Sequence, residues 1–340
     1  MGWKHVQYKT KLKQKSKLAL FVLALILGII VISWIIRSAG SLFYPWRMPS
    51  QYAKSYTWDG QFNINLLIRT NHISLFSYNP QDEKISVYDI PDELFLDVPG
   101  GFGSWQLRSI YQMGESQKGI GGNRLLVKTL SSSFAVPVDG FLDFSGLKSA
   151  KSAREIVDTI RQNPFSGISL LSSLRTNLTF WELIRLKLNI AAVRFDKIKE
   201  VDLSKQGILD KEVLLDGSQV YSVDPVKLDS VMSGLSDPLV SKEHKSIAVF
   251  NATDHPQLAT SWARMVTNLG GNVIITKNAN ARLKNTQVLG EQSPTLKRLS
   301  QIFSLDCQNN PKCDKISLTD EDLVSSRAVI NIFLGEDYSK

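Results

Sequence analysis

Two runs of acids are the first candidates for chemistry. Asp89, Asp92 and Glu93 fall within VYDIPDEL, and Asp320, Glu321 and Asp322 stand together near the end of the chain. Carboxylates at such spacing can share a divalent cation or divide acid and base work between them. Acid runs are also common as solvated turns and helix starts, where negative charge suits the first helical turn. The glycine runs GGFG at 100–103 and GIGGN at 119–123 raise the question of a phosphate cradle. Neither has the Lys-Ser/Thr ending of a P-loop or the spacing of a dinucleotide loop, so turns are the simpler reading. GIGGN does precede a helical pattern, and amides at a helix start can receive an anion. No serine sits in a nucleophile elbow and no HExxH occurs.

The elements that must position these residues read as a mixed α/β order. NINLLI, ISLFSYN and KISVYDI are short β-rich runs, and Asn79-Pro80-Gln81-Asp82 predicts a turn between the second and third. DELFLDVPGG predicts a further strand. A helix follows over about 123–134, with Leu125, Leu126, Leu130 and Phe134 at near-helical spacing. PVDGFLDFSG reads as another strand and 147–161 as a helix. A later helix starts with Thr179 as N-cap and Glu182 three residues on. The polar stretch 236–245 breaks the pattern and marks a linker. Beyond it come SIAVFN, a helix with Pro256 in its first turn, and NVIIT, then TQVLG, SPTLKRLSQIF and AVINIFLG. This order predicts a small C-terminal α/β domain of two β-α-β units.

The 340 residues, 43% hydrophobic and 21% charged, suffice for a sizeable core and exclude disorder of the whole. The formal charge is +8, but six lysines lie within residues 1–17, which contain no acid; without them 34 basic residues face 32 acidic ones. A near-neutral folded part lacks the basic field that binds nucleic-acid backbones, so no nucleic-acid partner is expected. Residues 18–36, LALFVLALILGIIVISWII, carry no charge over 19 positions. A helix of that length rises about 28 Å, near the hydrocarbon thickness of a bilayer. A single-pass transmembrane helix in the cell membrane is therefore expected. Its lysine-rich tail, 1–17, lies in the cytoplasm and the remaining chain is extracytoplasmic. Cleavage after the apolar run, at the small residues Ser38-Ala39-Gly40, is the alternative that the length of the run disfavours. Residues 37–60 suit a juxtamembrane stalk. Outside the membrane, Cys307 and Cys313 of DCQNNPKC can close a loop as a disulfide, with two free thiols as the other state. Zinc would need two more ligands, and the four histidines are scattered. Asn177 and Asn251 head glycosylation sequons.

The stretch RTNHISLFSYNPQDEKISVYDIPDELFLDVPG, with LRSIYQMGE and GNRLLVKTLSSSFAVPVDGFLDFSGL after it, resembles the LytR-CpsA-Psr family of bacterial envelope proteins. The later SIAVFNATDHPQLATSWARMVTNLGGNVIIT, ending in VINIFLGEDY, resembles the LytR C-terminal domain. The resemblance implies a LytR-CpsA-Psr-like mixed α/β domain over 61–235, the linker 236–245, and a LytR C-terminal-like domain over 246–340. It also implies an activity, transfer of a glycopolymer from a polyprenyl-diphosphate lipid to the cell wall. In the family arginines grip the diphosphate, aspartates hold a divalent cation, and the lipid tail enters the domain core. Here Arg69-Thr70-Asn71-His72 stands where the family has Arg-Ser-Asp-Thr, so the arginine is kept and a metal-binding aspartate becomes an amide. Pro91-Asp92-Glu93 stands where the family has Pro-Arg-Asp, which puts an acid where a diphosphate-gripping arginine belongs. The family's later arginine-rich segment has no counterpart between 146 and 170. Arg108 and Arg124 are the remaining cations that could compensate.

The expectation from sequence is thus a membrane-anchored pseudoenzyme of the cell envelope, without a cofactor. It would bind a polyprenyl-phosphate lipid or wall glycan through its apolar core and Arg69, with Arg108 and Arg124 as further ligand-binding candidates. One alternative is a divergent phosphotransferase in which Asp89, Asp92 and Glu93 hold a magnesium ion. Another is an adaptor that recruits wall-synthesis proteins through the C-terminal domain.

Overall fold

The computed structural model describes residues 23, 25–31, 33, 54, 56–147, 152–162, 170, 173–213, 217, 219–303 and 326–338. Within the expected membrane segment the described positions are helical, and Leu23, Leu25, Ile26 and Leu27 stand exposed. Among the described residues no helix is long and apolar enough to cross a membrane.

The larger sheet starts as an antiparallel meander of β1 (Ile64–Arg69), β2 (Ile73–Asn79) and β3 (Lys84–Ile90). Alternate side chains point to opposite faces of a strand, and both faces here are covered. Leu67, Leu75 and Tyr88 enter one core; Leu66, Phe76 and Val87 enter the other. The expected turn forms, with Asn79 Oδ1 accepting the amides of Gln81 and Asp82 at 2.9 and 3.2 Å. A separate hairpin of β4 (Phe95–Val98) and β5 (Gly103–Gln106) runs into α1 (Leu107–Ser116), an unanticipated helix. Helix α2 (Gly122–Phe134) leads to β6 (Gly140–Asp143), which lies parallel to β1.

Helix α3 (Ala153–Gln162) starts later than 147, where Ser152 Oγ accepts the amide of Glu155. The short β7 (Arg175–Thr176) pairs antiparallel with β6. Helix α4 (Phe180–Ala192) opens on the expected capping box, Thr179 and Glu182 each accepting the other's backbone amide. With β8 (Ile198–Asp202) the sheet order is β7-β6-β1-β2-β3-β8. A hairpin of β9 (Leu209–Val213) and β10 (Gln219–Val223) and helix α5 (Pro225–Met232) complete the core on the α1–α2 side.

Two expected boundaries are corrected. The last residues of the supposed stalk belong to the fold. Trp58 is buried, its Nε1 donates to the Phe62 carbonyl, and its amide donates to Glu182, which also pairs with Lys54. Composition cannot show this, because Glu182 lies more than a hundred residues from both Trp58 and Lys54. The supposed linker 236–245 contains α6 (Pro238–Glu243), capped by a fully buried Asp237 whose second oxygen accepts the Asn63 amide. Its polar residues are spent on a cap and a clasp.

The smaller sheet contains β11 (Ser246–Asn251), β12 (Asn272–Asn278), β13 (Gln287–Gly290) and β14 (Ile330–Leu334), in the order β12-β11-β14-β13. The connection from β11 through α7 (Leu258–Asn268) to the parallel β12 is a β-α-β unit as expected. Pro256 precedes that helix instead of lying in its first turn. The second unit is not a parallel crossover: β13, α8 (Pro294–Ile302) and β14 follow in order, but β13 and β14 pair antiparallel. The order of elements was legible and the strand direction was not, since periodicity says nothing about pairing. Cys307 and Cys313 lie outside the described residues.

Candidate functional site

The C-terminal ends of β1 and β6 lie side by side, and their register pairs Arg69 with Asp143. Arg69 Nη2 donates to Asp143 Oδ2 at 2.7 Å and to Ser145 Oγ at 2.8 Å. Its guanidinium carbon stands 3.6 Å from the centroid of the Tyr111 ring on α1. From the start of α2, Asn123 Nδ2 donates to the same Asp143 oxygen at 2.8 Å, and the Ser145 amide donates to the other at 3.0 Å. Burial alone would raise the Asp143 carboxyl, but the hydrogen bonds from Asn123 and Arg69 outweigh it and hold the group below its ordinary value. Across the sheet edge, β7 places Arg175 opposite Asp143, and Arg175 is exposed. Arg69 is thus the guanidinium bonded to this carboxylate, and Arg175 is a second cation on the neighbouring strand. Two buried polar atoms have no hydrogen-bond partner, the donor Arg69 Nε and the acceptor Asn123 Oδ1.

Two glycines bring α1 and α2 into place. A Cβ on Gly122 would lie 2.5 Å from the Tyr111 ring and carbonyl, and one on Gly114 would lie 2.8 Å from the Gly122 Cα. The close approach seats Tyr111 against Arg69. GIGGN is therefore a packing motif. Its helix start is not an anion site either, because Glu115 Oε1 already accepts the Gly122 amide at 2.7 Å.

The structure does not gather the other expected residues around Arg69. Arg108 Nε donates to Gln106 Oε1 at 2.8 Å, one turn before Tyr111. Arg124 leaves α2 on another side and walls a different cavity, facing the C-terminal domain. Asp89 accepts from Ser74 Oγ at 2.8 Å and lies near Glu200, whose carboxyl is raised by burial and by the Asp89 charge. Asp92 meets His72 Nδ1 at 2.8 Å, and Glu93 is exposed. Among the described residues no three His, Cys, Asp or Glu side chains could hold a metal ion together. The three acids thus do not fit a magnesium site: Asp89 leaves β3 on the face of Val87, whereas Asp92 lies beyond the strand end. Both sequons are structural, as Asn177 Oδ1 accepts the Phe141 amide and Asn251 is buried over the Thr253 turn.

Sequence reasoning passed over Tyr111, Asn123, Asp143, Ser145 and Arg175. One signal was present, the acid ending the apolar run GFLD. Behind Asp143, on the opposite face of β6, lies an apolar cavity of ≈100 Å³ whose walls include Leu142, Phe144, Leu170, Leu174, Leu183 and Ile190. Leu142 and Phe144 flank Asp143, so the strand presents charge on one face and a hollow apolar wall on the other.

No protein-family model matches this chain, and no curated protein matches it. Among solved structures, the chain is similar to Bacillus subtilis TagT at 16% identity and a TM-score of 0.38, covering 53% of this chain and 92% of that one. A structure described as LytR-CPS2A-psr family protein YwtF (TagT) with bound octaprenyl pyrophosphate lipid gives the same values. The Listeria innocua protein Lin1025 is similar at 14% identity and a TM-score of 0.39, covering 52% of this chain and 97% of that one.

Proposed function

We propose that this chain is a membrane-anchored, extracytoplasmic binding module of the cell envelope whose ligand is a polyprenyl-phosphate lipid. One observation carries the reading. At the end of β6 Arg69 is held on Asp143 with the exposed Arg175 across the sheet edge, and the other face of the strand backs onto an apolar cavity lined by Leu142 and Phe144. An amphiphile with an anionic head and an apolar tail needs such a pair of compartments. Asp143 and Tyr111 fix the Arg69 guanidinium, leaving its Nε free to donate, while the exposed Arg175 supplies the second charge. The family resemblance of the motifs points to the same class of lipid.

The phosphotransferase reading needs Asp89, Asp92 and Glu93 to converge on a cation, and their placement does not support it. The test is calorimetric titration of the full chain in detergent with a short-chain polyprenyl diphosphate, with and without magnesium. The module reading expects metal-independent binding that falls at least tenfold in R69A. Binding that requires magnesium, or that is indifferent to R69A, would overturn it.

A further inference from the structure

A second cavity, of ≈290 Å³, lies between the two domains. Helix α2 supplies Arg124 and Lys128 on one wall, and α7 and α8 supply Trp262, Gln301 and Ile302 on the other. The charges in this cleft do not balance. Lys54 is neutralised by Glu182, and Asp139 by Arg298. Arg124 and Lys128 remain, and among the described residues neither makes a hydrogen bond or an ion pair. Like charges four residues apart on a helix repel each other, so the pair weakens its own helix. Partial burial, with the Arg124 charge adding to it, pulls the Lys128 amine below its ordinary value. Opposite them, Gln301 Oε1 is a buried acceptor with no donor. Trp262 lines the cleft while packing on Phe303 and Tyr338 behind it, which fixes its ring.

We propose that this cleft binds the phosphomonoester of a sugar, the phosphate on Arg124 and Lys128 and a sugar hydroxyl donating to Gln301 Oε1. A phosphomonoester carries roughly −1.5 to −2 charge at neutral pH, which matches the two unpaired cations. Its hydroxyls supply the missing donor, and an aromatic ring such as Trp262 suits the apolar face of a sugar. The site stands on residues other than those of the Arg69 cluster and does not depend on that reading.

The test is calorimetry on the full chain in detergent, with glucose 6-phosphate, glucose and inorganic phosphate as probes. Glucose 6-phosphate should bind more tightly than either fragment and lose affinity as salt rises. Its affinity should drop at least tenfold in R124Q/K128Q and severalfold in Q301L, while R69A leaves it unchanged. Neither altered cation belongs to the buried core, and thermal melting checks that each variant folds. No binding, binding unchanged in R124Q/K128Q, or inorganic phosphate binding as tightly as glucose 6-phosphate would overturn the proposal.

Discussion

The guanidinium of Arg298, on α8 of the C-terminal domain, lies 3.1 Å from the carboxylate of Asp139, which immediately precedes β6 of the other domain. Both side chains are almost wholly buried. Arg298 also donates to the Asn63 carbonyl at 3.1 Å and to the Tyr56 hydroxyl at 3.2 Å, and Tyr56 donates to Asp139. Burial works against the Arg298 charge, but Asp139 and Tyr56 outweigh it and keep the group charged. The domains are thus joined by a buried polar clasp, and a bidentate Arg264–Asp229 pair also links them. Removing one partner of a buried pair leaves the other uncompensated, at a cost of about 3–5 kcal/mol. R298M should lower stability by that order in chemical denaturation, whereas Y56F, which removes hydrogen bonds without leaving a full charge, should cost about 1–3 kcal/mol. Equal losses would mean that the clasp is not governed by the ion pair.

The Asp143 carboxyl gives the fold a defined acid response. Its folded-state value lies below the unfolded value of about 3.9. Its contribution is therefore fully present above that pH and is lost as pH falls through the depressed folded value. Asp237 has the opposite sign. Burial raises its carboxyl against the partial offset of Arg298, so its contribution weakens as pH rises above about 3.9. In D143N the acid loss of stability should become shallower, because only the opposing group of the two is left. Denaturant midpoints measured between pH 2 and pH 6 check this, and an unchanged slope would show that Asp143 is not held ionised by its neighbours.

Glu182 does two jobs that substitutions can separate. One oxygen accepts the Thr179 amide in the capping box; the other accepts the Trp58 amide at 2.8 Å and pairs with Lys54. T179A should cost about 1 kcal/mol, the usual value of an N-cap. E182A should cost about 3–5 kcal/mol, because it also strands a buried lysine. A urea titration of both variants reads the difference, and E182A no worse than T179A would show that Lys54 finds solvent when released.

How far the sequence could be read follows from the range of the interactions. The β1–β3 meander and the Thr179 capping box were legible because β-rich composition, the Asn79 turn and an N-cap three residues from its partner are local. Helix α1 was not, because LRSIYQMGES has no cap and no acid in its first turn, and it is held by packing against α2. The Arg298 clasp joins residues 159 positions apart, and no periodicity announces it. At the candidate site Arg69 was found through a motif. Its true partner, Asp143, is set by the parallel register of β1 and β6, which only a folded sheet reveals. The acids at 89–93 looked like a cluster because they are close in sequence. The end of β3 separates them.

Gly122 offers the sharpest check on how the site is assembled. The residue lies where α1 and α2 touch, and an added methyl would overlap the Tyr111 ring and carbonyl at 2.5 Å. Backbone cannot yield as a side-chain tip does, so the helices must separate. Overpacking of this kind costs about 1–3 kcal/mol. The functional effect should be out of proportion to that loss, because Tyr111 is the face on which Arg69 rests and Asn123, the next residue along α2, holds Asp143. G122A should therefore melt at lower temperature yet remain folded at 25 °C, and should bind polyprenyl diphosphate more weakly than the parent chain. Binding to the cleft at Arg124 and Lys128 should change less, since those side chains leave α2 on another side. If G122A melts early but keeps full affinity for the diphosphate, the stack of Tyr111 on Arg69 does not position the guanidinium, and Asp143 alone must do so.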